Sequence, residues 1–422
     1  MRQVRTLRRV RAVRWVRWVL ATIAFARPAS AQELTIRGFG DVQSAVYPQI
    51  TPQDDDRIAV DGRFRVEPAY RPASWLVLSG SLEARADNLE LADRRWRLDA
   101  RDRGQRRPAL GLRQAGATIR KGTIAVDLGK QFIRWGRADI LNPTDRFAPR
   151  DFLEVTDDEF LAVTGARVQY ERGSHVFDVA WVPLFTPSRI PLPEGRWAAA
   201  IPQTLSAGGF VDAGPVFPRR GQYGARWNVR GSGYELSVSY FDGFNHLPQF
   251  TTQPVPGQPL VAVQRTYAPI RMGGADAAVP FRWFTVKGEV AWLLSSTTTA
   301  DDVVLYVVQL ERQAGELSLV GGYAGEVVTE KRSMFTFAPD RGLTRAFLGR
   351  AGYTLGPTRD LAFEAAVRQN LDGVWVKAQY SEALDAHVRW TIAGTIIGGD
   401  ERDFIGQYRR NSHLLATLRY SF

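Results

Sequence analysis

The alternation of apolar and polar side chains along short segments restricts the possible folds of this chain more than any other feature of its sequence. From residue 34 to the end, apolar residues repeatedly occupy every second position, which is the period of a β-strand with two unlike faces. The last segment places five apolar side chains on one face: Leu414, Ala416, Leu418, Tyr420 and Phe422. Many strands with one apolar and one polar face predict a closed barrel that spans a membrane.

We predict an all-β, transmembrane, antiparallel up-and-down β-barrel of about eighteen strands. The predicted strands are 34–47, 60–67, 75–87, 109–120, 123–135, 161–171, 174–182, 221–230, 233–242, 259–279, 282–294, 302–311, 315–327, 343–355, 359–370, 373–382, 385–397 and 412–422. Connections after even-numbered strands are short and turn-like, whereas most of those after odd-numbered strands are long. This parity is typical of barrels with short periplasmic turns and long extracellular loops. Segment 259–279 is the least regular, and merging one weak pair would give sixteen strands.

The N-terminal segment has the order of a secretory signal peptide. Seven arginines between Arg2 and Arg17 precede a short apolar core at 18–26, and Ala29-Ser30-Ala31 offers a cleavage site. We therefore predict a cleaved signal peptide at 1–31 and a single barrel domain at 32–422. The whole chain carries 55 Lys and Arg against 44 Asp and Glu, and removing the eight arginines of 1–31 leaves a net charge of about +3. This near balance argues against a nucleic-acid partner.

The C-terminal strand also predicts where the barrel is assembled. A terminal aromatic residue with apolar residues at every second position before it resembles the assembly signal of Gram-negative outer-membrane barrels, carried here by Leu418, Tyr420 and Phe422. The expected location is the bacterial outer membrane, and the expected partners are outer-membrane lipid and the barrel assembly machinery. A homo-oligomer stays open, because no readable mark of an interface is present.

Alternation also predicts which charged side chains face the interior, since charge on the lipid face is costly near the membrane midplane. The lumen-lining candidates are Arg226, Arg230, Arg350, Glu364, Arg368, Lys377, Arg389 and Arg419. The same alternation directs Glu289 inward. Such residues either pair across neighbouring strands and stiffen the wall, or remain unpaired and favour anionic or amphiphilic solutes.

The most distinctive segment is Gly129 to Phe152, which carries the pattern G-x-Q-x-x-x-W-G-x-x-D-x-x-N-P-x-D. We call this pattern the box. It resembles a box found in uncharacterised porin-like outer-membrane proteins of Gram-negative bacteria. The resemblance covers roughly 25 residues and implies an outer-membrane location and a transport-like role, without naming a substrate.

Two interpretations of the box remain open. In one, a loop folds into the lumen and forms a charged constriction from Arg134, Arg137, Asp139, Asp145, Arg146, Arg150 and Asp151. In the other, turns and ion pairs latch the loop to the wall without touching solute. The acidic run Asp157, Asp158 and Glu159 could add an acidic face or, less expectedly, a calcium site.

The sequence favours a channel over an enzyme. Cys is absent, which excludes disulfides and thiol chemistry, and no metal-ligand spacing or nucleotide fingerprint occurs, so we expect no metal and no cofactor. The weak grouping of His387, His413 and Ser381 on neighbouring predicted strands carries no catalytic signature. The leading hypothesis is a porin-like channel for passive or substrate-selective passage of small solutes. The alternatives are a conduit for hydrophobic or lipid-like molecules and a structural or enzymatic barrel.

Overall fold

The computed structural model describes residues 33–139, 141–198, 210–257, 260–333 and 338–422. The predicted signal peptide at 1–31 and its cleavage site lie outside these residues. Eighteen antiparallel strands close into one barrel, which confirms the predicted fold class. They are β1 (Glu33–Val46), β2 (Ile58–Ala73), β3 (Leu76–Asp87), β4 (Leu110–Lys121), β5 (Ile124–Gln131), β6 (Val163–Arg172), β7 (His175–Leu184), β8 (Gln222–Gly231), β9 (Tyr234–Phe244), β10 (Pro269–Pro280), β11 (Thr285–Ser295), β12 (Asp302–Ala314), β13 (Leu317–Glu330), β14 (Ala346–Gly356), β15 (Arg359–Arg368), β16 (Gly373–Ala383), β17 (Val388–Gly399) and β18 (His413–Ser421).

Each strand pairs with its neighbours in the chain, and β18 closes the barrel on β1, with Leu418 opposite Val42. After every even-numbered strand the chain turns back within a few residues, as at 122–123 and 173–174. The segments 88–109, 132–162, 185–221 and 245–268 follow odd-numbered strands on the opposite side. We assign that side to the cell exterior, following the asymmetry of such barrels.

The outer segments contain short elements of their own. These are the strands Leu98–Asp99, Arg150–Asp151, Glu159–Phe160, Phe210–Pro215, Gln249–Pro254 and Val261–Thr266, and the 3₁₀ helices Pro339–Arg341 and Gly406–Asn411. No helix in the described part of the chain has both the length and the apolar character needed to cross a bilayer.

The two faces of the wall follow the predicted alternation. On β7, Phe177, Val179 and Trp181 are about half exposed on the outer face, whereas Asp178 and Ala180 between them are buried inside the barrel. The outer face therefore presents large apolar side chains to lipid, and the inner face supports whatever fills the lumen.

Most predicted strands differ from the observed ones by a few residues at their ends, but two of them contain residues that do not lie in the wall at all. Predicted strand 123–135 ends at Gln131, because the alternation continues into Ile133 and Trp135, which leave the wall and become buried inside the barrel. Predicted strand 259–279 contains two elements. Val261–Thr266 joins a three-stranded sheet of the outer segments, and only Pro269–Pro280 lies in the wall. Period-2 patterning alone does not show which sheet a strand joins.

The C-terminal residue fastens the closing seam of the barrel. Phe422 and Gly38 exchange two backbone hydrogen bonds of 3.0 Å, and the Phe422 ring stacks on Phe64 with centroids 6.0 Å apart. Leu418 and Tyr420 lie on the lipid face and are more than half exposed, so these two residues of the predicted assembly signal are accessible from the outer surface of the barrel.

We expect the substitution F422A to lower the cellular yield of folded barrel severalfold while leaving the refolded protein intact. The ring is only partly buried, so its loss removes little packing energy, but the predicted assembly signal disappears. Heat-modifiable migration of membrane fractions measures the yield, and refolding in detergent measures intrinsic stability. F281A, in a periplasmic turn, is the control. Equal yields of both variants would contradict the assigned signal.

Candidate functional site

Residues 132–162, which we call the inner loop, leave β5 and fill the interior of the barrel. Ile133, Trp135 and Phe147 pack in one buried apolar cluster with inward side chains of β7, β9, β10, β11 and β12. Ala138 and Leu141 belong to a second cluster with inward residues of β12 to β17. The inner loop therefore spans the lumen between opposite parts of the wall.

Trp135 of the box fixes the start of the inner loop against the wall. Its indole N–H donates to Asp178 of β7 at 3.1 Å, and its ring makes an edge-to-face contact with Phe147, with centroids 5.0 Å apart. Phe147 makes a similar contact with Phe241 of β9. Gly224 of β8 makes room for these rings, since a Cβ there would lie 2.9 Å from Trp135.

Glu289 of β11 holds the middle of the inner loop. One carboxylate oxygen accepts the backbone N–H groups of Arg137 and Ala138 at 2.9 and 3.0 Å. The other accepts the N–H and the hydroxyl of Thr144 at 2.7 and 2.8 Å. The residue is 3 % exposed. Its neighbours across the wall are Asp276 and Val307, so the loop, rather than a basic wall residue, satisfies this carboxylate.

Two predicted constriction residues pair with the wall. The Arg137 guanidinium donates to Asp276 and to Glu235, and Arg226 donates to the same Asp276 at 2.7 Å. Asp139 accepts Lys287 at 2.9 Å, and its backbone N–H donates to Gln309. Arg137 is thus a fastening of the loop, whereas the Asp139 side chain remains about half exposed.

Three further candidates shape the turns of the box. Asp145 is buried and accepts the backbone N–H of Trp135 at 2.9 Å and the Arg134 guanidinium at 3.1 Å. The Arg134 side chain is nevertheless 47 % exposed. Arg146 reaches Asp340 of segment 331–345 at 3.3 Å. Gly136 is required where the turn closes, since a Cβ there would lie 2.4 Å from Asn142.

Asp151 belongs to a buried ionic cluster that joins three outer segments. Its carboxylate accepts Arg107 of segment 88–109 at 3.0 Å and Arg189 of segment 185–221 at 2.9 Å. Arg189 also donates to Asp102, which accepts Lys130. Burial alone would raise the pKa of Asp151, but the two guanidinium groups outweigh burial and hold the pKa below its usual range.

Two residues of the acidic run at 157–159 pair with arginines. Arg150 donates to Asp158 at 2.7 Å, while Glu159 accepts Arg63 of β2 and Arg113 of β4. Burial would raise the pKa of Glu159, but Arg113 and Arg63 lower it to about 2. The inner loop is thus tied to this side of the wall as well. No group of metal-ligating side chains occurs within the described ranges.

The lumen-lining candidates lie on the inner face. Arg350 pairs with Glu364 at 3.4 Å, Arg389 with Asp360 at 3.1 Å and Arg419 with Asp41 at 2.7 Å, and these arginine side chains are 62, 42 and 39 % exposed. Lys377 stands opposite Glu364 in the sheet register. Arg230 is largely exposed beside Glu235, whereas Arg368 is partly buried against Asp403.

Sequence reasoning missed the residues that hold the box. Alternation directed Glu289 inward but could not show that its partners are backbone N–H groups far away in the chain. Arg107, Arg189 and Asp102 lie in loops without periodicity, so no sequence signal pointed to their cluster. The seven predicted constriction residues share the inner loop, but most of them pair with the wall or other loops rather than with one another.

His246 is buried beneath the outer segments, where its imidazole makes contacts that depend on its protonation state. Its Nδ1 lies 2.6 Å from the Thr186 carbonyl oxygen and its Nε2 lies 3.1 Å from that of Arg146. A neutral ring can donate to only one of them. Burial lowers the pKa of His246 to about 4, so the folded protein keeps this ring neutral at physiological pH.

We expect the contacts around His246 to weaken as pH falls below about 6.5, the pKa of the imidazole when it is exposed. When these contacts open, the exposed imidazole of His246 binds a proton more readily than in the folded state, where its pKa is about 4. The stabilisation is therefore complete above pH 6.5, and about 2 kcal/mol of it is lost at pH 5. The protection factor of the Ser188 amide, which donates to the His246 carbonyl, measures the effect. H246N should remove this pH dependence, and an unchanged dependence in H246N would disprove the assignment.

The four histidines do not form a catalytic group with Ser381. His387 lies in the turn before β17, outside the wall strand in which the predicted strand 385–397 placed it, and its Nδ1 contacts the Ser421 carbonyl. His413 begins β18 at the opposite end of the barrel and contacts the Asn411 carbonyl. The prediction failed because alternation assigns a face but does not place the end of a strand.

Several solved structures have a similar fold. OpdQ of Pseudomonas aeruginosa aligns over 93 % of this chain and 99 % of its own, with a TM-score of 0.52 and 9 % sequence identity. A BenF-like porin of Pseudomonas fluorescens Pf-5 aligns over 93 % and 98 %, with a TM-score of 0.52 and 8 % identity. OccAB4 of Acinetobacter baumannii aligns over 93 % and 98 %, with a TM-score of 0.53 and 8 % identity. At these identities the likeness concerns the fold. No family model matches the chain, and no curated protein matches it.

Proposed function

We propose that this protein is an outer-membrane, porin-like channel through which small solutes pass passively or selectively, with anionic or amphiphilic molecules as the first candidates. The observation that carries the proposal is the exposed, charged inner wall of β14 to β18. There the inward charged side chains Arg350, Glu364, Arg389 and Arg419 stay at least one-third exposed, although the inner loop occupies much of the lumen. Exposed charges along an inner wall indicate a water-filled route.

The second support is the position of Arg134. The inner loop is fastened to β7, β9, β10, β11 and β12, yet the Arg134 guanidinium projects from it about half exposed. A loop fixed on several sides holds this charge in a constant position, which a selective constriction requires. The proposal thus joins the two interpretations of the box, because the same loop is a latch and a constriction. It also retains the family resemblance of the box and the role of the barrel assembly machinery as expectations.

A conduit for hydrophobic or lipid-like molecules is less favoured by this geometry. Such a conduit needs a lateral opening towards the membrane, but hydrogen-bonded ladders join each neighbouring pair of the eighteen described wall strands, the closing pair of β18 and β1 included. The exposed wall inside the barrel is charged as well.

Planar-bilayer recording of the refolded mature protein tests the channel. We expect a steady conductance, and R134Q should lower the preference for anions over cations roughly twofold to fivefold, since a unit charge at about 4 Å in water contributes about 1 kcal/mol. R312Q is the control, because Arg312 faces outward at the membrane surface, beside Trp283. A sealed barrel without current would overturn the channel, and equal selectivity of R134Q and R312Q would overturn the constriction.

A further inference from the structure

A cavity of about 150 Å³ lies in the outer half of the barrel, between the inner loop and the segments that cover it. We call it the vestibule cavity. Its apolar wall includes Leu141, Leu343, Ile397, Phe404 and Ile405. A mainly apolar cavity of about this volume is large enough to hold a benzene-sized ring.

Three residues that line the vestibule cavity also carry polar atoms without partners among the described residues. Tyr408 is 3 % exposed, and its hydroxyl has no hydrogen-bond partner among the described residues. The indole N–H of Trp375 and one carboxylate oxygen of Asp340 are likewise buried and unpaired within the described ranges. A buried polar group without a partner costs about 1–3 kcal/mol, so two donors and one acceptor at one cavity indicate that something else completes them.

The charges of the cavity are already balanced. Arg146 pairs with Asp340 at 3.3 Å, and Arg150 pairs with Asp158 at 2.7 Å. The remaining charged residue of the lining, Asp145, pairs with Arg134. Burial keeps His246 neutral by lowering its pKa to about 4, and it raises the pKa of Tyr408, so the phenol remains a donor. A charged ligand would enter without a counter-ion and would lose its hydration.

We infer that the vestibule cavity binds an uncharged, ring-sized solute that carries both a hydrogen-bond acceptor and a donor, such as an aromatic amide or alcohol. The Tyr408 hydroxyl and the Trp375 N–H donate to the acceptor of the solute, the free oxygen of Asp340 accepts its donor, and the apolar wall covers the ring. The inference rests on the proposed function, in that the solute reaches this cavity on its way through the channel.

Calorimetric titration of the refolded full barrel in detergent tests the inference, with benzamide and benzoate as probes. The two molecules share ring and size but differ in charge. We expect benzamide to bind and benzoate to bind at least about tenfold more weakly, because none of the described residues that line the cavity is an unpaired cation. Y408F, which keeps the ring and removes the donor, should weaken benzamide binding about tenfold, equivalent to about 1.4 kcal/mol. Y353F, on the lipid face, should bind like the unchanged protein.

The outcomes separate the two proposals. No heat with benzamide, benzoate binding as tightly as benzamide, or equal affinity of Y408F and the unchanged protein would each overturn the vestibule site. A severalfold weakening of benzamide binding by W375F, with an unchanged folded fraction on gels, would support the Trp375 N–H as the second donor. Undiminished binding by W375F would show that this N–H is not part of the site. A barrel that conducts ions but does not bind benzamide would support the proposed channel and contradict the vestibule site. A barrel that binds benzamide but does not conduct ions would support the site and contradict the channel.

Discussion

The substitution E289A should release the inner loop from the wall and turn a fixed constriction into a fluctuating one. Removing this carboxylate leaves the backbone N–H groups of Arg137, Ala138 and Thr144 without their acceptor in a buried place. Each unsatisfied buried donor costs about 1–3 kcal/mol, so the loss of three should lower the local stability of the loop by about 3 kcal/mol or more. No other described residue takes over, since Asp276 is already occupied by Arg137 and Arg226.

Limited trypsin digestion measures this release directly, because the inner loop carries Arg134, Arg137, Arg146 and Arg150. We expect the unchanged barrel to resist cleavage at these sites and E289A to be cut there, with noisy conductance in bilayers. E364A is the matched control, since Glu364 also faces the lumen but is partly exposed, and its one ion pair among the described residues is with Arg350 at 3.4 Å. Resistance of E289A equal to that of E364A would show that Glu289 does not hold the loop.

The substitution D151N should loosen three outer segments together. Asp151 compensates Arg107 and Arg189, whose side chains are 5 % and 3 % exposed, so its neutralisation leaves two buried guanidinium groups short of a negative charge. Removing one partner of a buried ion pair costs about 3–5 kcal/mol. Because the pKa of Asp151 is held below its usual range, the charge is present at every pH at which the protein would be handled.

Thermal unfolding followed by gel mobility, combined with proteolysis of segment 88–109, reports on D151N. We expect a lower midpoint and cleavage in segments 88–109 and 185–198, while the wall strands stay protected. D212N is the control, because Asp212 and Arg265 form a pair in which the carboxylate is about half exposed, and such pairs contribute about 1 kcal/mol or less. A similar decrease of the unfolding midpoint in D151N and D212N would show that the buried cluster contributes no more stability than an exposed ion pair.

The wall of the barrel could be predicted because its physics is local. A strand that separates lipid from a wet interior must alternate, so the sequence alone directed Arg226 inward. The structure places Tyr223 and Trp227, on either side of it along β8, on the exposed outer face. Eighteen strands and the parity of their connections follow from the same pattern. The pattern was misleading where it continued beyond the wall, at Ile133 and Trp135 and at Val261–Thr266, and at His387, where the predicted strand began before the observed one.

The candidate site was predicted only in outline. The box marked the segment that carries the proposed constriction, but alternation and turn chemistry could not decide between a latch and a constriction. The structure shows fastenings to β7 through Trp135 and to β11 through Glu289, together with a half-exposed Arg134. These contacts join residues more than 40 positions apart, and no sequence period connects them.

The sequence by itself determined that this chain builds a wall between lipid and water, because each strand carries that requirement in its own two-residue period. Only the tertiary structure decided what occupies the lumen. Three contacts form only after the barrel closes and its loops fold inward. Glu289 then accepts its hydrogen bonds from the inner loop, Asp151 pairs with two arginines, and Tyr408 lies beside an apolar cavity. Closure brings distant positions into contact, and contacts of that kind depend on the shape of the whole molecule rather than on neighbouring residues.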